Sequence, residues 1–256
     1  VWLGDSVSFG LGVDQDRTFV SLLQKELAPR ELVNLAIFAY HAGNHLDALR
    51  EDGLKHRPDL VVVQFYMNDF SIPSPGDGTA TPAVAPTVWQ RLMALKNRLV
   101  YHSALYLRLQ QVGQRASFAL LHDARRERFP ETLNDAEPRN KTEFLAAHPD
   151  DREVAAFRVL SEIRKTAAAH GARTFLWISP DETQLFSQRF DAVNQRVRRF
   201  CETEGIAFYD PLPQLRAHPD RIALFNDGVH YSAEGHAVIA RLLLPRISAA
   251  ASAGPR

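Results

Sequence analysis

With 256 residues, 45% of them hydrophobic and 23% charged, the chain is long enough for one large domain or two small ones and for a sizeable core. Its 30 Lys and Arg balance 30 Asp and Glu, which excludes a global field that would draw in nucleic acid or an anionic membrane. Cys201 is the single cysteine, so an internal disulfide and a cysteine-based metal site are excluded, and no apolar run reaches the length of a membrane span.

The first residues, Val1 to Leu3, read as the tail of a strand, and the first residue is not Met. Residues upstream are therefore expected to be missing. A signal peptide or anchor ahead of Val1, and the cellular location, are left open. Thr18 to Leu27 has helical spacing at Phe19, Leu22, Leu23 and Leu27. Leu32 to Ile37 reads as a short strand and His45 to His56 as a helix. Pro58-Asp59 then breaks the chain. Leu60 to Tyr66 is a near-continuous apolar run, the pattern of a strand buried on both faces of a parallel sheet.

Residues 71–150 interrupt this rhythm. Ser71 to Pro86 is rich in Pro, Gly, Thr and Ala and reads as a loop. Thr87 to about Val112 is helix-like, and Phe129 to Asp151 is polar and loop-like. The alternation then resumes. Glu153 to Ala169 reads as a helix with Gly171 as its cap, and Thr174 to Ile178 as a strand. Phe190 to Cys201 reads as a helix, Ile206 to Tyr209 as a strand and Ala233 to Ile247 as the last helix. This βαβα order predicts a three-layer α/β domain with a mostly parallel sheet, spanning 1–256 with a partly helical insertion at about 71–150.

Three groups of polar residues fall just beyond strands or between core elements, where such sheets present their ligands. Ser6 follows the first strand on a glycine bend, Asn68-Asp69 follows Leu60–Tyr66, and Asp227-Gly228-Val229-His230 precedes the last helix. Together they suit acyl transfer. A serine hydroxyl needs an adjacent base, and an imidazole such as His230 can take its proton. Asp227, three residues before it, can hold the other ring nitrogen. The Asn68 side chain and the Ser6 backbone N–H can stabilise an oxyanion. Each piece alone has a plainer reading: a strand-to-helix turn for Ser6, a helix-capping turn for Asp227, an Asx turn for Asn68.

Carried by Gly4-Asp5-Ser6-Val7, Asn68-Asp69 and Asp227-x-x-His230, in that order, the chain resembles the SGNH hydrolases, also called GDSL esterases and lipases. The stretches Phe9–Val13, Thr18-Phe19 and Tyr231–His236 are similar as well, so the resemblance spans roughly 1–70 and 171–245. It implies a flavodoxin-like α/β/α sandwich and ester hydrolysis through an acyl-enzyme, with Ser6, Asp227 and His230 catalytic and no metal or organic cofactor. Asn34 to Tyr40 resembles the family's second block, with Ala39 where the family usually has Gly; the resemblance assigns the Ala39 N–H to the oxyanion hole, with Gly43 as fallback. Tyr66 stands where the family has Gly two residues before its Asn, which implies a bulkier wall beside Asn68.

Other polar residues are read as structural. Asp5 and Asp69 are expected to be hydrogen-bonding partners, and His41 and His45 to serve local packing rather than a metal. His236 is expected to be solvated or packed, and Cys201 to lie in the core. The expected partner is a small-molecule or carbohydrate ester, with no nucleic acid. Two other readings use the same residues: an O-acyltransferase, and a non-catalytic carbohydrate- or partner-binding module.

Overall fold

The computed structural model describes residues 1–70, 112–113, 151–188 and 191–252. The loop and helix expected within 71–150 therefore lie outside the described residues, apart from Val112 and Gly113.

Four strands, β1 (Trp2–Leu3), β2 (Leu60–Phe65), β3 (Arg173–Ile178) and β4 (Ala207–Tyr209), form a sheet in the order β1-β2-β3-β4. Every pairing is parallel, with Leu3 opposite Val63, Val63 opposite Leu176, and Leu176 opposite Phe208. All four strands thus point their carboxyl ends at one edge. Asn34 adds a single parallel bridge on the outer side of Trp2. The chain order across the sheet, with Asn34 second, is that of the flavodoxin-like sandwich.

The helices explain why β2 is apolar at every position but Gln64. Val61, Val63 and Phe65 face one core, shared with Leu46 and Leu49 of α3 (Ala42–Glu51), Leu160 and Ile163 of α4 (Asp151–Ala169), and Val193, Val197 and Cys201 of α6 (Asp191–Glu204). Leu60 and Val62 face the other core, with Phe19 and Leu23 of α2 (Phe19–Leu27) and Ile239 and Leu243 of α8 (Ala233–Ser252). A strand covered on both faces carries no polar alternation. Cys201 is fully buried, as expected, and burial pushes its thiol up to about 12.

Three short helices escaped the periodicity: α1 (Ser6–Phe9), α5 (Glu182–Phe186) and α7 (Leu212–Arg216). At four or five residues they are too short to show a repeat. The strand expected over Leu32–Ile37 shrinks to the bridge at Asn34. The segment still bonds to β1 and the residue after it, with the Trp2 N–H donating to Val33 O (2.8 Å), the Leu35 N–H to Trp2 O (2.9 Å) and the Ile37 N–H to Gly4 O (3.2 Å). But β1 offers only two residues to pair with, and the Leu32 and Ala36 N–H groups go to the Gln24 and Asn34 side chains at 2.6 and 3.1 Å. The helix expected from His45 starts earlier, at Ala42, because His41 caps it. His41 Nδ1 accepts the Gly43 N–H at 3.2 Å, and the Asn44 side chain returns the bond to the His41 N–H. Burial holds the His41 imidazole below its ordinary value, which suits an accepting nitrogen. This helix ends at Glu51 rather than His56, and Gly53–His56 forms a separate 3₁₀ turn.

His236 proves to be a buried clamp. Its Nδ1 accepts the Phe19 N–H at the start of α2 at 3.1 Å, and its ring stacks on Phe19. Burial, with a smaller contribution from the His230 charge, pushes its imidazole down to about 3. An unfolded histidine titrates near about 6.5, so between these values the unfolded chain binds a proton that the native chain refuses. Stability then falls as the pH falls. From pH 6.5 to pH 5 this residue is expected to cost on the order of 1 to 2 kcal/mol. Urea unfolding at the two pH values should show the loss in the wild type but not in His236→Asn, whose carbonyl oxygen can accept the Phe19 N–H without titrating.

Among the described residues, no helix is long and apolar enough to cross a membrane, and no group of three or more His, Cys, Asp or Glu is arranged to hold a metal ion.

Candidate active site

The carboxyl edge of the sheet gathers the polar residues singled out above. Directly after β1, Gly4 lets the chain pass close over β2: a Cβ there would lie 2.5 Å from Ser8 Oγ and 2.8 Å from Gln64 Oε1. Asp5 caps α1, accepting the Val7 N–H at 2.9 Å, and Ser6 is the first residue of the turn. Gly10 ends it at φ +83, a left-handed conformation that favours glycine.

Beneath this turn runs a buried polar column that the sequence did not announce. Gln64 Oε1 accepts the Asp5 N–H at 3.1 Å and the Ser8 hydroxyl at 2.8 Å, and Ser8 Oγ in turn accepts from Trp2 Nε1 at 2.9 Å. A polar Gln inside the otherwise apolar LVVVQFY run was the one available signal. Uninterrupted burial would have no use for it.

The loop before α8 is closed by backbone bonds from Asn226 N to His230 O (2.8 Å) and from Glu182 N to Gly228 O (2.9 Å). Inside it, Asp227 Oδ1 accepts the N–H groups of Val229 and His230, each at 2.7 Å. Its Oδ2 lies 2.7 Å from His230 Nδ1, and His230 Nε2 lies 2.9 Å from Ser6 Oγ. Burial works to raise the Asp227 carboxyl. The His230 side-chain bond, the His230 charge and the two backbone N–H groups outweigh it and hold the group below the ordinary carboxylate range. An ionised carboxylate only accepts, so the ring proton belongs on Nδ1 and Nε2 is left to accept from Ser6. Ser6, His230 and Asp227, expected together, stand in one line.

Asn68 sits in the 3₁₀ turn Met67–Phe70 that follows β2. Its amide nitrogen donates to Asp5 Oδ2 at 2.9 Å and to the Tyr40 carbonyl at 3.1 Å, so both amide hydrogens have protein acceptors. Ala39, one residue before Tyr40, has φ +57. That left-handed backbone accounts for glycine's preference at this position and puts mild strain on an alanine. Ala39→Gly is expected to raise stability by up to about 1 kcal/mol, the relief being partly offset by the freer unfolded chain. A lower urea midpoint for the glycine variant would contradict this. Gly43, the fallback donor, gives its N–H to His41 within the α3 cap.

Asp5 and Asp69 are both buried and hydrogen-bonded, as expected of structural partners. Burial, then the Asp69 charge, raises the Asp5 carboxyl. Asp69 Oδ2 accepts the Tyr66 N–H at 2.8 Å, and its Oδ1 lies 3.2 Å from His45 Nε2. The Tyr66 ring is buried, and its phenol is pushed well above the ordinary range by burial and then by the charges of Asp181, Asp5 and Asp227. A cleft of about 260 Å³ at the amino edge of the sheet, lined by Trp2, Arg30, His56 and Arg57 among others, holds none of these groups.

The sequence matches the GDSL-like lipase/acylhydrolase family over residues 2–238. The chain belongs to that family. The match covers the strands, the Ser6 turn and the Asp227–His230 loop in one span, and it makes this GDSL protein an ester hydrolase of the SGNH type. No curated protein matches it. Solved structures share the fold at low identity. TesA is 16% identical, with a TM-score of 0.57 and 97% of each chain covered. A lipase/acylhydrolase from Enterococcus faecalis is 14% identical, with a TM-score of 0.55, covering 100% of this chain and 97% of that one. An acetyl xylan esterase is 14% identical, with a TM-score of 0.55, covering 96% of this chain and 100% of that one.

Proposed function

We propose that this GDSL hydrolase cleaves short-acyl esters, acetyl esters above all, through an acyl-enzyme on Ser6. The observation that carries the reading is the Ser6–His230–Asp227 line, with 2.9 and 2.7 Å between its partners. In the first half-reaction His230 Nε2 takes the Ser6 proton as Oγ bonds to the acyl carbon. The proton passes to the leaving alkoxide, and the acyl group stays on Ser6. In the second, His230 takes a proton from water. The resulting hydroxide attacks the acyl carbon, and Ser6 leaves with its proton restored. Asp227 stabilises the imidazolium in both halves.

The oxyanion of each tetrahedral intermediate is assigned to the N–H groups of Ser6 and Ala39 and to the Asn68 amide, with one Asn68 hydrogen shared between the Tyr40 carbonyl and the oxyanion. Gly43 is set aside because its N–H serves the helix cap.

Tyr66 supports the short-acyl preference. Its buried ring replaces a glycine two residues before Asn68, and its phenol lies within electrostatic reach of Asp5 and Asp227. The segment 71–150 departs directly after Phe70, at the edge that carries the site, and we assign it a part in selecting the substrate. A carbohydrate ester is in keeping with this reading, and the acetyl xylan esterase is one relative of similar fold.

A p-nitrophenyl ester series from acetate to palmitate tests the preference. Acetate is expected to give the highest kcat/KM, and Tyr66→Gly to move the optimum toward longer chains. A wild type that prefers palmitate would overturn the restricted pocket. The O-acyltransferase reading is tested in the same assay by adding a sugar acceptor: hydrolysis predicts free acid with or without it.

A further inference from the structure

His45 and Asp69 take no part in the proton transfers above, yet they join the two segments that carry the assigned oxyanion donors. Asp69 belongs to the turn that aims Asn68. It closes that turn twice on Tyr66: its N–H donates to the Tyr66 carbonyl at 2.9 Å, and its Oδ2 accepts the Tyr66 N–H at 2.8 Å. His45 lies one turn into α3, the helix that starts three residues after Ala39. Its Nε2 faces Asp69 Oδ1 at 3.2 Å, and both side chains are 1% exposed. A second side-chain bridge across the same gap is the bond from Asn68 to the Tyr40 carbonyl.

A carboxylate this deeply buried is costly without a partner, so the chain gains by keeping the imidazole against it. The contact therefore sets how far α3 and the residues leading into it stand from the turn after β2. Oxyanion stabilisation depends on that spacing, because donors act only when held at hydrogen-bond distance from the developing charge.

We propose that His45 and Asp69 are positioning residues of the oxyanion hole, their buried contact holding the Ala39 N–H and the Asn68 amide at a working separation. The proposal rests on the oxyanion assignment above. It concerns a pair that touches neither Ser6 nor His230 in the contacts described.

The test measures kcat, KM and urea unfolding with p-nitrophenyl acetate for the wild type, His45→Leu, His45→Gln and His45→Leu/Asp69→Asn. In His45→Leu, kcat is expected to fall roughly 10- to 100-fold with KM within about twofold, as for a misplaced catalytic element. His45→Gln, whose amide can still face Asp69, should recover most of the loss. The double variant leaves no buried charge without a partner, and the amide it introduces in place of the carboxylate keeps an oxygen for the Tyr66 N–H. It carries the test if the single variant does not fold, and its kcat should fall as far. A folded His45→Leu or double variant with kcat within about twofold of the wild type overturns the proposal and leaves the hydrolase reading standing. So does a loss confined to KM. A wild type that turns over no ester overturns both.

Discussion

Ser6→Ala is expected to lower kcat on p-nitrophenyl acetate by about ten-thousand-fold or more and to abolish labelling by a fluorophosphonate. The variant removes the Oγ assigned as nucleophile, which lies 2.9 Å from His230 Nε2. The turn that carries it does not depend on that hydroxyl. Asp5 caps the turn, Gly10 ends it, and Gln64 and Ser8 hold it from below. Unfolding by urea should therefore be nearly unchanged. The remaining rate would come from oxyanion donors and substrate binding, which act without a nucleophile. A folded Ser6→Ala protein that keeps a tenth of the activity, an amount far above this residual, would sink the mechanism.

Asp227→Asn is expected to cost about ten-thousand-fold in kcat with the fold retained. The amide oxygen can still accept the Val229 and His230 N–H groups that Oδ1 now accepts. The amide NH₂ would then occupy the place of Oδ2, 2.7 Å from His230 Nδ1. A donor there forces Nδ1 to be the accepting nitrogen and moves the ring proton to Nε2. Nε2 then presents a proton to Ser6 instead of a lone pair, and the base is lost. The wild-type carboxyl is held below the ordinary carboxylate range. Its stabilising contribution is thus present above the unfolded value of about 3.9 and disappears as the pH falls through the lower folded value. Asp227→Asn should lose this acid-range dependence as well as activity. A kcat within tenfold of the wild type would show that His230 needs no orienting carboxylate.

Much of the fold was legible because its signals are local. The apolar run Leu60–Tyr66 encodes a strand covered on both faces, and the spacing of Phe19, Leu22, Leu23 and Leu27 encodes one helix face. Asp227 and His230 were readable as a pair because only two residues separate them, so one local turn can bring their side chains together. The strand expected at Leu32–Ile37 failed for the opposite reason. Its apolar pattern was adequate and it bonds to Trp2 and Gly4, but β1 supplies only two residues beside it, so the pairing does not extend past the bridge at Asn34.

The histidines mark where sequence stops and tertiary structure begins. By itself the sequence determined the order of the strands, the places of Ser6, Asn68 and the Asp227–His230 loop, and the resemblance those residues carry. Beyond His230, whose Asp227 partner lies three residues before it, it could not give the histidines their particular partners. His41 caps a helix, His45 faces a buried carboxylate, His236 accepts the Phe19 N–H across 217 positions, and His230 meets Ser6 across 224. An imidazole can donate, accept, carry charge or stay neutral, and for His45 and His236 the partner that chooses among these lies far off in sequence. The choice is made by burial and by the partner brought to it. Those are properties of the packed sheet and its two helix layers, because only packing decides which distant backbone N–H, carboxylate or hydroxyl lies about 3 Å from a ring nitrogen.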